Sequence, residues 1–390
     1  MTLPTRSGDT PIGTPREAFQ SRCGYRAISS TIRPVDAIES NLAVSAPAVL
    51  RDIRDLALTE LEEIVIAAGE RSFRAKQIAN WLWRRNAESF DEMHELPRAL
   101  QQFLKQNFKI GSLPLAHLAR AADGTRKLLI RLGDGKQIES VIIPTEGRVT
   151  LCISSQAGCA MGCTFCATAL MGLHRNLGAA EILGQVIAAR RQLNAEEVLT
   201  NYVFMGMGEP LANYPRLGRT LDTMTAEWGM GISPRRITVS TVGLVPMMER
   251  LLTDFQVNLA VSLHATTDEL RDRIAPINKR YPLAELIGAC RALPMQRRRR
   301  IMFEYVMLDG VNDSPEDARR LSKLLAPLRA KVNLIFFNPF GGSSFRPSPR
   351  ARVADFQAIL HRGNLTATIR ESRGQDIAAA CGQLYAAVGA

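Results

Sequence analysis

Residues 158–168 read GCAMGCTFCAT, three cysteines (Cys159, Cys163 and Cys166) within eight positions, and a fourth, Cys152, stands just upstream in LCISSQ. The loop follows a strand-like run, TLCISS (150–155). Beyond it, strand-like runs NYVFMG (201–206), RITVST (236–241), VNLAVSL (257–263), IMFEYVM (301–307) and VNLIFF (332–337) alternate with helix-like segments such as AAEILGQVIAARRQL (179–193). Six βα units in this order predict a parallel α/β sheet or barrel. Several runs end in polar or glycine residues: GMGEP, STVG, SLHATT and NPFGG. In parallel α/β folds the carboxyl ends of strands are where sites are built, so the cysteine loop and these ends are expected on one rim.

A C-x-x-x-C-x-x-C loop admits three readings. Buried structural thiols explain the residue type but not the spacing. Zinc requires Cys152 as a fourth ligand, because a mixed Cys/His site is poorly supplied by five histidines of which only His174 is near in sequence. An iron-sulfur cluster held by three thiolates leaves one iron open to a substrate, which suits this spacing.

The rest of the chain bounds these readings. A length of 390 residues with 46% hydrophobic content fills a substantial core. The seven cysteines are odd in number and four of them crowd into 152–166, while Cys23, Cys290 and Cys381 are scattered; this is no disulfide framework. No run of eighteen apolar residues occurs, and the start MTLPTRSGDT lacks a charged region followed by an apolar one, so a cytoplasmic location away from membrane is expected.

Four segments are expected. Residues 1–48, rich in Pro, Ser, Thr, Gly and Arg, read as a flexible extension. Residues 49–112 read as a small helical domain, with Thr59 and Glu62 as a capping box and Gly69 as a stop. Residues 113–145 read as a β-rich connector in which RKLLIRL and ESVIIP are set off by the turns ADG and GDG. Residues 146–390 hold the α/β core and a C-terminal cysteine.

The formal charge is +11, of which the first 50 residues supply only +1, five Arg against Asp9, Glu17, Asp36 and Glu39. Such an excess suits a polyanion. FRAKQIANWLWRRN (73–86) interleaves Arg74, Lys76, Arg84 and Arg85 with Trp81 and Trp83, as phosphate contact and base stacking require, although Trp81 shares core spacing with Ile78 and Leu82. Arg297–Arg300 in MQRRRR form a second cationic run, which serves equally as a solvated helix end.

The signature C-x-x-x-C-x-F-C, with Phe165 before the last thiol, resembles that of the radical S-adenosylmethionine (SAM) enzymes. Together with LCISSQAGCAMGCTFCAT, FMGMGEP, VNLAVSLHA, PINKRYPL, LDGVNDS and ACGQL, it makes roughly residues 50–388 similar to the bacterial RNA adenine C2-methyltransferases, which act on 23S rRNA and in some members on tRNA. The resemblance implies a partial (β/α)6 barrel with a small N-terminal helical domain, a [4Fe-4S] cluster on Cys159, Cys163 and Cys166, SAM, an electron donor such as flavodoxin or ferredoxin, and a monomer. It implies that Cys381 accepts a methyl group, that Cys152 releases product through a transient disulfide, and that Glu139 in IESVIIP removes the proton from adenine carbon 2. For SAM it implies Gly208, Glu209, Ser240, Ser262, Leu263, His264 and Asn338.

Read singly, these residues are ordinary. A cysteine beside alanines is usually a small core residue. A lone glutamate on an apolar strand usually faces solvent, and each rim residue is equally a turn or strand-end cap. Their joint placement on one rim is the distinguishing feature. Two alternatives stand beside the main reading: C8-methylation of the same rRNA adenosine, as in the sister family associated with ribosomal antibiotic resistance, from which GMGEP and NPF depart, and a non-enzymatic, metal-containing RNA-binding protein.

Overall fold

The structure, a computed structural model, describes residues 50–296 and 298–386. The extension expected over residues 1–48, with Cys23, and Arg297 of the cationic run lie outside the described residues. The described residues form one compact unit.

Helices Leu58–Ala67, Phe73–Trp83 and Arg98–Asn107 open the described chain, clamped by a short parallel pair, β1 (Arg51–Asp52) and β2 (Phe108–Lys109). The first helix starts at Leu58, two residues ahead of what a cap at Thr59 and Glu62 requires. Glu60 reaches back instead, accepting the Ala57 N–H at 2.7 Å, while Gly69 at φ +80° ends the helix as expected. Leu61, Ile78, Leu82, Leu100 and Leu104 are buried and continuous with the core of the larger sheet. The buried Arg54 ties the layer together by donating to the carbonyls of Gly111 (2.6 Å) and Ala87 (2.9 Å).

One ten-stranded sheet carries the rest. β3 (Leu115–Arg120), β4 (Arg126–Arg131), β5 (Gln137–Thr145) and β6 (Arg148–Cys152) form an antiparallel meander. β7 (Gln156–Gly158) and β8 (Leu173–Asn176) pair separately around the cysteine loop. From β6 the sheet continues in parallel through β9 (Leu199–Phe204), β10 (Ile237–Thr241), β11 (Asn258–Ser262), β12 (Ile301–Met307), β13 (Ala330–Phe336) and β14 (Ala367–Arg370). Crossover helices Ala179–Arg190, Tyr214–Thr225, Val245–Asp254, Leu283–Ala292, Pro315–Leu325 and Arg350–Arg362 complete six βα units. Each parallel strand puts β-branched or aromatic residues against these helices; Ile237 and Val239 of β10 are fully buried while Thr238 and Ser240 face the interior half-buried.

The six units match the six read from the sequence, and β14 is a seventh parallel strand that was not anticipated. Its four residues, ATIR, are too short for periodicity to register, although the Thr-Ala-Thr-Ile alternation in NLTATIR is a strand signal. β14 bonds only to β13, and β6 bonds to β5 and β9, so the parallel set stays open.

Candidate active site

The cysteine loop is fixed from three directions. The Cys159 N–H donates to the Gly172 carbonyl (2.8 Å), Thr164 N–H to Ile274 (3.0 Å) and Ala167 N–H to Gly382 (2.7 Å). Gly158, at φ +78°, runs directly against the Gly172 carbonyl and leaves no room for a Cβ. Cys159, Cys163 and Cys166 line one cavity at the carboxyl ends of β9 to β13. Burial raises all three thiols, Cys159 to about 12.

The rim opposite is built from strand ends. Gly208, Glu209, Ser240, Ser262, His264 and Asn338 all line the same cavity. Gly208, at φ +96°, could not carry a Cβ, which would fall 2.5 Å from Cβ of Gln156. The Glu209 carboxylate accepts the Val242 N–H (2.8 Å) and the Leu211 N–H (3.1 Å); burial raises it to about 7 despite these bonds. His264 adopts φ +59°, accepts the Val306 N–H on Nδ1 at 3.0 Å and packs against the Phe165 ring, centroids 4.4 Å apart. Burial lowers its pKa to about 3, so the imidazole is neutral with its proton on Nε2. Leu263 is buried away from the cavity and takes part through its backbone, its N–H donating to Glu304 at 3.0 Å.

One residue that sequence reading passed over organises this rim. Arg271, fully buried within TTDELRDR, donates to the carbonyls of Leu263 (3.1 Å), Val242 (2.7 Å) and Ser262 (3.3 Å) and to Asn278 Oδ1 (3.0 Å). Burial pulls it down to about 10, so it stays a cation at neutral pH and pins two strand ends. Nothing in the pattern separates it from Arg273, the other arginine of that helix; only its spacing from Ile274 places it on the inward face.

Cys381 reaches the same cavity from the far end of the chain. The segment after β14 runs across the open side of the barrel, tied by Gly374 N–H to Asp123 (3.0 Å), Ala122 N–H to Asp376 (3.0 Å) and Thr168 Oγ1 to the Leu384 carbonyl (2.7 Å). Asn338 donates to the Cys381 carbonyl (3.1 Å) and accepts from Gln375 Nε2 (2.8 Å), so its amide holds this segment. Cys381 is exposed, but to the cavities on either side of it rather than to bulk water, and burial among protein atoms raises its thiol while the Arg370 guanidinium opposes the rise.

Cys152, buried on β6, lines no cavity with the loop cysteines and is an electrostatic neighbour of Cys381 and Arg370; its thiol is pushed up to about 12 by burial first and by Cys381 second. Both are free thiols. Glu139 on β5 is buried, not solvent-facing. It pairs with Lys127 at 2.9 Å and accepts the Tyr385 N–H at 2.8 Å, which ties it to the segment bearing Cys381.

The donor chemistry fits both groups that the sequence implies. Among the described residues no group of three His, Cys, Asp or Glu could hold a lone metal ion, and the loop thiols share one cavity without Cys152, which suits a larger cluster taking each thiolate on a separate iron. A carboxylate, two serines and glycine backbone around the same space suit the ammonium and ribose of SAM.

The arginines singled out for RNA are differently employed. Arg84 donates to the carbonyls of Glu227 (2.5 Å) and Gly229 (3.2 Å), and so docks the helical layer on the turn that follows helix Tyr214–Thr225. Arg85 pairs with Glu95 at 2.8 Å and lies over the Trp81 ring, 4.1 Å from its centroid. Trp83 is buried in the core.

Residues 153–322 match the radical SAM superfamily, and residues 51–110 match the ribosomal RNA large subunit methyltransferase N-terminal domain. A dual-specificity RNA methyltransferase RlmN of Anaeromyxobacter dehalogenans is 52% identical over 341 residues, covering 86% of this chain and 92% of the relative. One of Geobacter sulfurreducens is 51% identical over 333 residues, 85% of this chain and 91% of the relative. A crystal structure of a radical SAM methyltransferase from Sphaerobacter thermophilus is 47% identical and superposes with a TM-score of 0.82 over 86% of this chain and all of that one. The chain belongs to the radical SAM superfamily and, within it, to the family of the dual-specificity RNA methyltransferases RlmN.

Proposed function

We propose that this enzyme methylates carbon 2 of an adenosine in 23S rRNA and in tRNA, with Cys381 as the methyl carrier. The observation that supports it most is the position of Cys381. It lines the cavity of the loop thiols and the strand-end rim on one side and a second, polar cavity on the other, with Cys152 beside it. Carbon 2 of adenine is electrophilic, so a carrier able to deliver a one-carbon radical is needed in place of direct methyl transfer.

When bound, the [4Fe-4S] cluster and SAM supply a methyl group and, after reductive cleavage of a second SAM, a hydrogen-abstracting radical. Cys159, Cys163 and Cys166 would hold the cluster, and Gly208, Glu209, Ser240, Ser262 and the neutral His264 would orient SAM. Cys381 takes the methyl on Sγ, the charge of Arg370 favouring the thiolate against its burial. Asn338 and Gln375 hold the thiol's backbone toward the cavity. After the Cys381-borne carbon has joined adenine, Glu139 removes the carbon 2 proton, a role its attachment to Tyr385 suits by keeping the carboxylate near the segment that bears Cys381. Cys152 then loses its thiol proton and closes a disulfide with Cys381 Sγ as the carbon–sulfur bond breaks, the freed carbon takes up a proton to become the methyl group, the single electron that entered with the radical is given up, and the methylated base leaves. An external reductant of the flavodoxin or ferredoxin type reopens the disulfide and feeds the cluster.

The enzyme works in the cytoplasm as a monomer in this reading, with residues 49–112 as the accessory RNA-binding part beside a core of 146–390. Among the described residues no helix is long and apolar enough to cross a membrane. Mass spectrometry of rRNA and tRNA from a deletion strain, complemented with the wild-type chain, tests the assignment. 2-Methyladenosine is expected to vanish from both RNAs and return on complementation. Loss of 8-methyladenosine instead transfers the enzyme to the C8 class.

A further inference from the structure

The second cavity bordering Cys381 has no assigned occupant. It is the hollow of the unclosed barrel, running from the amino-terminal ends of the strands up to Cys381. In a closed eight-stranded barrel this space is filled by interlocking branched side chains. Here short polar side chains, Asn201, Thr238 and Asn333, share the lining with Val203, Met302 and Ile335 and leave the space open. Cations ring the lower opening: Arg148 at the start of β6, Arg235 just before β10, Arg300 just before β12 and Lys331 at the start of β13. None of the four makes a salt bridge among the described residues; Arg300 donates to Thr366 Oγ1 at 3.0 Å. The one carboxylate at the wall, Glu371, is already held bidentately by Arg350 at 2.8 Å. At the upper end Arg370 touches only the Met205 sulfur, at 3.9 Å, among hydrogen-bond partners.

We infer that this cation-ringed hollow is the RNA entrance, with the amino-terminal rim holding phosphates while the target nucleotide, unstacked, passes up the polar interior to Cys381. The inference rests on the reading that the substrate is RNA. Unpaired guanidinium and ammonium groups at an opening are a phosphodiester's partners. A base displaced from its stack needs a passage of this kind to reach an atom that a duplex or loop would bury. The face meant for RNA therefore lies at the end of the barrel opposite the cluster loop, the end at which Arg84 docks the helical layer through the Glu227 and Gly229 carbonyls of the turn leading to Arg235.

Two variants of the cluster-loaded enzyme test this, with a tRNA anticodon stem-loop as probe. Arg235→Glu with Lys331→Glu alters only exposed side chains. RNA affinity is expected to fall roughly tenfold or more and the salt slope by about 1 to 2, while mass spectrometry shows Cys381 methylated as in the wild type. Unchanged affinity and slope would overturn the inference. Thr238→Trp plugs the hollow midway: RNA is expected to bind at the rim and Cys381 to carry its methyl, with RNA methylation lost. A plugged enzyme that methylates RNA at the wild-type rate would also overturn it. An RNA that binds the wild type normally yet is never methylated at carbon 2 counts against the proposed reaction and leaves the entrance standing.

Discussion

The two groups of cysteines are made in opposite ways. Cys159, Cys163 and Cys166 share eight residues of contiguous chain, and glycine and a two-strand clip shape their loop locally. Cys381 owes its place to residues at 122, 123, 168 and 338, all distant in sequence. The first is a motif whose thiol spacing is set within one short loop, to which the fold adds two distant backbone ties, at Ile274 and Gly382; the second is wholly an outcome of the finished fold. Damage to the one should remove chemistry at a stroke, and damage to the other should degrade it by degrees.

The largest effect is expected from Cys163→Ala. Iron content, reductive SAM cleavage and RNA methylation should all be lost, with circular dichroism unchanged because the sheet does not depend on the cluster. A variant that still cleaves SAM would break the comparison at its root. Next comes Cys152→Ala, which should keep its iron and methylate Cys381 yet leave RNA joined to the protein. A nuclease-sensitive band of higher mass on a denaturing gel reports this, and adding Cys381→Ala should erase it. Normal turnover by Cys152→Ala, or loss of iron, would put Cys152 with the loop thiols instead.

Asn338→Ala sharpens the distinction. If its amide serves chiefly to hold the Cys381 carbonyl, methyl transfer to Cys381 should slow roughly 10- to 100-fold, as a misplaced reactant does, while equilibrium SAM affinity and iron content stay near wild type. A drop in SAM affinity alone would return Asn338 to the SAM rim. The smallest effect concerns His264, whose pKa is lowered by burial to about 3 from 6.5. Between these values the unfolded chain binds a proton that the folded one refuses, so this contribution to stability is present above about 6.5 and is lost as pH falls toward 3. Urea melts of His264→Gln should depend less on pH than those of wild type over that interval; parallel curves would mean another group governs it.

Sequence reading fared unevenly along the same divide. Six βα units and the rim residues of GMGEP, STVG, SLHATT and NPFGG were legible because a period-2 strand ending in glycine or a polar group is a local pattern. What eluded it depends on partners elsewhere in the chain. β14 is four residues whose strand character comes from β13 beside it. Arg271 is one arginine among several until three carbonyls surround it. Arg84 sits in a stretch whose composition suits RNA, and tertiary contacts with the Glu227 and Gly229 carbonyls occupy its guanidinium at the surface. Glu139 reads as a solvent-facing strand residue because its partners, Lys127 and Tyr385, lie on another strand and near the chain's end.

The ties of the Cys381 segment also set an order of events in synthesis. Its hydrogen bonds to Ala122, Asp123 and Glu139 close loops of 254, 251 and 246 residues. Cys381 follows Cys166 by more than two hundred residues. At bacterial elongation rates it therefore leaves the ribosome roughly 10 to 40 s after the cluster loop, since nascent chains grow by about 5–20 residues per second. Throughout that interval the loop thiols are available to iron while the methyl acceptor does not yet exist. The loop thiols and the methyl acceptor are thus separate in time as well as in sequence, and the segment around Cys381 joins a site whose other walls have already been made.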